Sequence, residues 1–105
     1  MYNCLRPTEV QQEAIRHWGI DAQLYKLAEE LSELQTALLQ YCNKKKNKEK
    51  NLEQVKLELA DVLTVIPALW DILNPLSVEL QIQNNIIKLQ ERMGQEQDVR
   101  PSAIN

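Results

Sequence analysis

The sequence predicts an all-α fold, a helical bundle of four to five helices completed by oligomerisation, and three observations carry that prediction. The 105 residues include only two glycines and four prolines, too few for the turns of a many-stranded sheet. Leu24, Leu27, Leu31, Leu34 and Leu38 recur at the alternating three and four spacing of a helix packed on other helices. Hydrophobic residues make up 44% of the chain, yet aromatics are only 5% and phenylalanine is absent. Such a core is aliphatic and thin, and a second copy of the chain is its expected supplement.

Thr8 and Gln11 form a capping-box pattern that opens a short amphipathic helix through Ile15 and Trp18, which Gly19 is expected to end in a left-handed conformation. Asp21 is the expected cap of the leucine-striped second helix. Residues 43–51, with five lysines, one glutamate and no apolar side chain, read as a solvated connection. Asn51 with Gln54 suggests a further cap, opening a third helix through Leu52, Val55, Leu59, Val62, Ile66 and Leu69, with a kink expected at Pro67. The Asn74-Pro75 pair divides it from a last helix over 76–93, which Gly94 should stop. Residues 1–93 thus read as one helical domain and 94–105 as a polar tail.

The net charge of -3 argues against a protein built to neutralise nucleic-acid phosphates over a broad basic face. Cys4 and Cys42 have no metal-ligand spacing and no disulfide framework, so free thiols in the cytoplasm are expected. No apolar leader and no run long enough to span a membrane is seen, and the chain reads as soluble. There is no phosphate-cradling glycine loop, which removes P-loop kinase and dehydrogenase readings. His17 lacks a second histidine or cysteine at ligand spacing, which leaves zinc chemistry without support.

The carboxylates are the informative feature. At about 100° per residue, Glu30 and Glu33 lie together at the margin of the leucine stripe, while Glu29 points furthest from it. Glu58 falls inside the apolar arc of Val55, Leu59, Val62 and Leu69, and Asp61 borders the same face one turn on. A carboxylate in such a place protonates, pairs with a cation or binds a metal. Lys26 is the one lysine near it. Glu30, Glu33, Glu58 and Asp61, all oxygen donors, suit a hard divalent cation: magnesium, with manganese as the alternative. Charged residues on ordinary solvated helix faces are the competing reading.

The run Glu29-Glu30-Leu31-Ser32-Glu33, followed by Glu58-Leu59-Ala60-Asp61, resembles the paired acidic signature of the MazG-like all-α nucleoside triphosphate pyrophosphatases, over about residues 14–92. The resemblance implies a metal-dependent hydrolase that cleaves a nucleoside triphosphate to a monophosphate and pyrophosphate by water attack at the α-β linkage. It also implies that Glu30, Glu33, Glu58 and Asp61 are metal ligands, and that the helical bundle is assembled from more than one chain, a homodimer or homotetramer. Glu29 either binds a further metal or orients water. Glu33 and Glu29 are equal candidates for the catalytic base.

On the last helix Gln81, Asn85, Lys88 and Arg92 form a polar stripe, and the resemblance makes Asn85, Lys88 and Arg92 candidates for phosphate binding. Lys26 could reach either the acids or a phosphate. Trp18 is a candidate for stacking on a nucleobase, although packing in the core or between subunits is the simpler expectation. Trp70 reads as structural. Two other functions compete. One is a non-enzymatic helical oligomerisation or interaction module on the same scaffold; the other is nucleic-acid binding by the lysine run, which the acidic balance disfavours.

Overall fold

A computed structural model describes residues 6–73 and 75–96 of the chain. The described residues form four helices and no strand: α1 (Glu9–Trp18), α2 (Ile20–Asn43), α3 (Lys48–Ile72) and α4 (Pro75–Glu96). Residue contacts divide the chain after Leu73 into a unit holding α1, α2 and α3 and a unit built on α4. No single helix among the described residues is long and apolar enough to cross a membrane.

The N-terminus of α1 follows its sequence signal. Thr8 Oγ1 accepts from the Gln11 amide at 3.2 Å while Gln11 Oε1 accepts from the Thr8 amide at 2.8 Å, which satisfies two orphan donors reciprocally. Gly19 then ends α1 and starts α2 by itself. Its φ of 92° and ψ of 161° lie outside the left-handed helical region expected for it, in a backbone state open to glycine and strained for other residues. Because Ile20 is already helical, Asp21 lies inside the first turn of α2 and is not its cap; there its charge favours the helix N-terminus without closing it.

The lysine-rich connection is shorter than its composition suggests. α2 runs through Asn43 and α3 starts at Lys48, leaving residues 44–47 between them. Asn47 makes the turn in the left-handed conformation, with φ 62° and ψ 39°, a state asparagine tolerates. Lys48 lays its ammonium 4.6 Å from the Tyr41 ring centroid and donates to the Tyr41 carbonyl, so a lysine in a polar run still finds a packing surface. Asn51 therefore sits inside α3 and does not cap it; its side chain reaches back to the Lys46 carbonyl at 3.3 Å.

α3 continues through Pro67, whose ring is buried beside Ala68 and Leu69. Val62 at 3% exposure, Leu69 at 1% and Ala37 on α2 complete a small aliphatic interior, as the scarcity of aromatics implies. The leucine stripe of α2 is only partly covered: Leu31 and Leu38 remain exposed, and the buried residues of that helix are Glu30 and Ala37. Trp70 is half-buried. Cys42 is a free, exposed thiol, while Cys4 lies outside the described residues.

In the second unit, Pro75 is the first residue of α4, where its missing amide costs nothing. The helix does not stop at Gly94 but runs on to Glu96. A glycine inside a helix costs only about 1 kcal/mol against alanine, and Arg92 faces Glu96 across it at 3.8 Å. Residues 97–105 of the expected tail lie outside the described residues. Leu76, Leu80, Ile86, Ile87 and Met93 are all exposed on α4.

Candidate metal centre

Two helices supply the site. Glu30 and Glu33 are three residues apart on α2, Glu58 and Asp61 three apart on α3, so each pair shares a helix face. The helices run antiparallel here: Glu33 and Glu58 share a cleft with Thr36 and Gln54, then Gln40 and Asn51, as numbers rise on α2 and fall on α3. One carboxylate oxygen from each of the four acids lies within 4.8 Å of the other three. Glu30 is buried and Glu58 half-buried, while Glu33 and Asp61 are exposed, so solvent screens part of the repulsion among the four. A cluster of this kind calls for compensating positive charge.

The protein provides part of it. Lys26 Nζ stands 3.0 Å from Glu30 Oε1, one turn earlier on α2, and the Glu30 side chain is only 8% exposed. The hydrogen bond to Glu30, then its charge, raises the Lys26 pKa, with smaller help from Glu29 and Glu33. No other cation is paired with the cluster among the described residues.

The other two central carboxylates are less well served. Glu58 Oε1 accepts from Gln54 Nε2 at 2.7 Å, whereas Glu58 Oε2 is out of contact with solvent and has no hydrogen-bond partner. The Glu33 carboxyl is pushed above the ordinary carboxylate range, chiefly by the charge of Glu30, then by that of Glu58, by burial, and by a hydrogen bond to Glu58 that a proton on Glu33 would make; Lys26 opposes these. Proton and metal thus answer the same local excess of negative charge. Four oxygen donors with a buried acceptor left over fit a hard divalent ion, and no sulfur or imidazole enters the set.

Glu29 stands apart from the four-acid set, on the wall of a cleft of about 460 Å³ between α1, α2 and α3. Lys26, Trp18, Gln11 and Gln23 line the same cleft, so the tryptophan and the lysine singled out in the sequence share one space beside the acids. Trp18 is 64% exposed, so it does not pack in the core of this chain, and its ring meets that of His17 edge-on at 4.8 Å.

No family model, curated protein or solved structure matches the chain. The chemistry of the site therefore stands on its own residues.

Asn85, Lys88 and Arg92 all lie on α4, in the other unit. Asn85 Oδ1 accepts from Gln81 Nε2 at 3.0 Å, and Arg92 is directed to Glu96. Two contacts escape the sequence reading. Gln54, read there as half of a helix cap, bonds to Glu58; its four-residue spacing on one helix was the available signal. Gln11 also donates from Nε2 to the Thr64 carbonyl at 2.8 Å, tying α1 to α3 across 53 positions, and no local pattern announces it.

Proposed function

We propose that this protein is a divalent-cation-dependent nucleoside triphosphate pyrophosphohydrolase, in line with the resemblance of its acidic motifs to the MazG-like enzymes. The observation that carries the reading is the convergence of Glu30, Glu33, Glu58 and Asp61, together with a Glu58 Oε2 that is buried and has no hydrogen-bond partner. These four residues would hold Mg²⁺ or Mn²⁺. When bound, such a cation neutralises phosphate oxygens and lowers the proton affinity of water.

In the reaction a water oxygen forms a bond to phosphorus at the α-β linkage, the bridging P–O bond breaks, and pyrophosphate leaves the nucleoside monophosphate. A carboxylate must take the water's proton. Glu33 belongs to the four-acid set and Glu29 faces the adjoining cleft, and these two remain the candidates. Lys26 stands where an incoming phosphate would compete with Glu30 for its ammonium. The exposed Trp18 ring offers a stacking surface in the same cleft. Asn85, Lys88 and Arg92 are the proposed phosphate partners from α4, and a homodimer or homotetramer would cover that helix's exposed apolar residues.

Incubation of the purified protein with a nucleotide panel and Mg²⁺ tests the reading. Monophosphate and pyrophosphate should form in equal amounts, and Glu58→Gln should abolish turnover. A folded oligomer that releases neither product from any nucleotide refutes catalysis. The same exposed apolar face of α4 favours a second reading, a helical interaction module without activity. Calorimetric titration with Mg²⁺ separates the two, since that module has no use for the cation.

A further inference from the structure

We infer that Gln54 is a positioning residue for the metal centre: by donating its amide N–H to Glu58 Oε1, it fixes the Glu58 carboxylate so that Oε2 remains as the ligand atom. The inference rests on the reading of the four acids as a cation site and adds a residue that the acidic motifs do not contain.

A glutamate three bonds away from its backbone has rotamers to spare, and a ligand oxygen must be held before the ion arrives. The two oxygens of Glu58 are in unlike states. Oε1 is held at 2.7 Å by Gln54 Nε2 from one turn earlier on α3, while Oε2 has neither a partner nor solvent contact. Oxygen atoms of Glu30, Glu33 and Asp61 lie within 4.8 Å of a Glu58 oxygen. With one oxygen tethered, the carboxylate plane cannot turn freely, and the free oxygen keeps its direction.

The chemistry of the tether matters as much as its length. A lysine at this position would form an ion pair and cancel charge that the cation needs; a glutamate would add repulsion to a cluster already overloaded. An amide holds the carboxylate while leaving the formal charge of the cluster unchanged. Gln54 also lines the cleft of about 470 Å³ that runs from Glu33 and Glu58 towards Lys50, where it is accessible and contributes little to the core. Its replacement is therefore not expected to unfold the protein.

The test is Mn²⁺ affinity of the full-length chain, read by electron paramagnetic resonance of the free ion, alongside thermal melting in chelator. Gln54→Met should weaken Mn²⁺ binding about tenfold to a hundredfold, the usual cost of losing a partner that orients a ligand, with an unchanged melting temperature. Gln54→Ala should do the same. Gln40→Met, which alters a second amide of the same cleft, should leave affinity within about twofold of the parent. In a Glu58→Gln background, Gln54→Met should have no further effect, because the two residues act as one unit. If that background binds too weakly to measure, the comparison between positions 54 and 40 decides alone.

Parental affinity in Gln54→Met, an equal loss in Gln40→Met, or a full loss that persists in Glu58→Gln would each overturn the inference while leaving the metal reading intact. A parent protein that binds no Mn²⁺ overturns the metal reading, and the role of Gln54 with it.

Discussion

Lys26 and Glu30 form an ion pair at 3.0 Å in which one partner is half exposed and the other almost completely buried. The asymmetry gives the pair a direction. Lysine can leave for solvent, whereas the buried glutamate stays in the cluster. Lys26→Met should therefore lower the melting temperature of the metal-free protein, by leaving Glu30 buried among like charges. Saturating Mg²⁺ should recover more stability in that variant than in the parent. Differential scanning calorimetry with and without the ion checks both effects.

Glu58→Gln should act in opposite directions on stability and on turnover. The substitution keeps an acceptor for Gln54 and removes one charge from a crowded site, so the metal-free protein should gain about 1 kcal/mol while the proposed hydrolysis disappears. Urea titration in chelator measures the first effect and product release the second. Loss of stability in chelator would mean that Glu58 is held by compensating contacts after all.

The raised pKa of Glu33 sets a pH dependence whose sign is fixed. The folded state holds this proton more tightly than the unfolded chain does. The resulting stabilisation is greatest below the ordinary carboxylate range and is lost as the pH rises through the raised value. Glu33→Gln should accordingly melt at a higher temperature than the parent at neutral pH without metal, and the difference should vanish on acidification. Lys26, raised by Glu30, titrates at the other end of the scale: its contribution is lost at alkaline pH, as the pH rises through its raised value. Melting curves in chelator over a pH series separate the two groups.

The small interior makes single positions count. Leu69, 1% exposed, should cost about 2 to 5 kcal/mol on replacement by alanine, whereas Leu57, 60% exposed on the same helix, should cost less than about 0.5 kcal/mol. Denaturant titration of the two variants gives the comparison. Equal costs would mean that the solvent-facing side of α3 is covered by another surface in solution.

Most of the helical order and the four acids was legible in the sequence, because both depend on short-range periodicity. Thr8 and Gln11 announce α1, Pro75 opens α4, and the three-residue spacing within each acidic pair sets it on one face. What was not legible depended on competition between signals. Asp21 and Asn51 have the right side chains for caps, but Gly19 and Asn47 take those places through backbone conformations that composition does not specify. Gly94 is a plausible stop, yet the helix absorbs it. The exposure of Trp18 follows from how α1 lies on its neighbours, fixed in part by the long-range bond from Gln11 to Thr64. Gln54 was visible at the correct spacing from Glu58, but its link to the apparent cap at Asn51 hid the more consequential partner.

Gly19 joins α1 to α2 at a φ of 92°, yet a β-carbon built there would meet no atom within 4 Å. The joint is therefore selective for handedness and indifferent to size. An L-alanine would be forced into a backbone state it avoids, while a D-alanine installed by chemical ligation would find that state natural. By narrowing the choices open to the unfolded chain, the mirror-image residue should fasten the helix that carries Trp18 more firmly than the native glycine does.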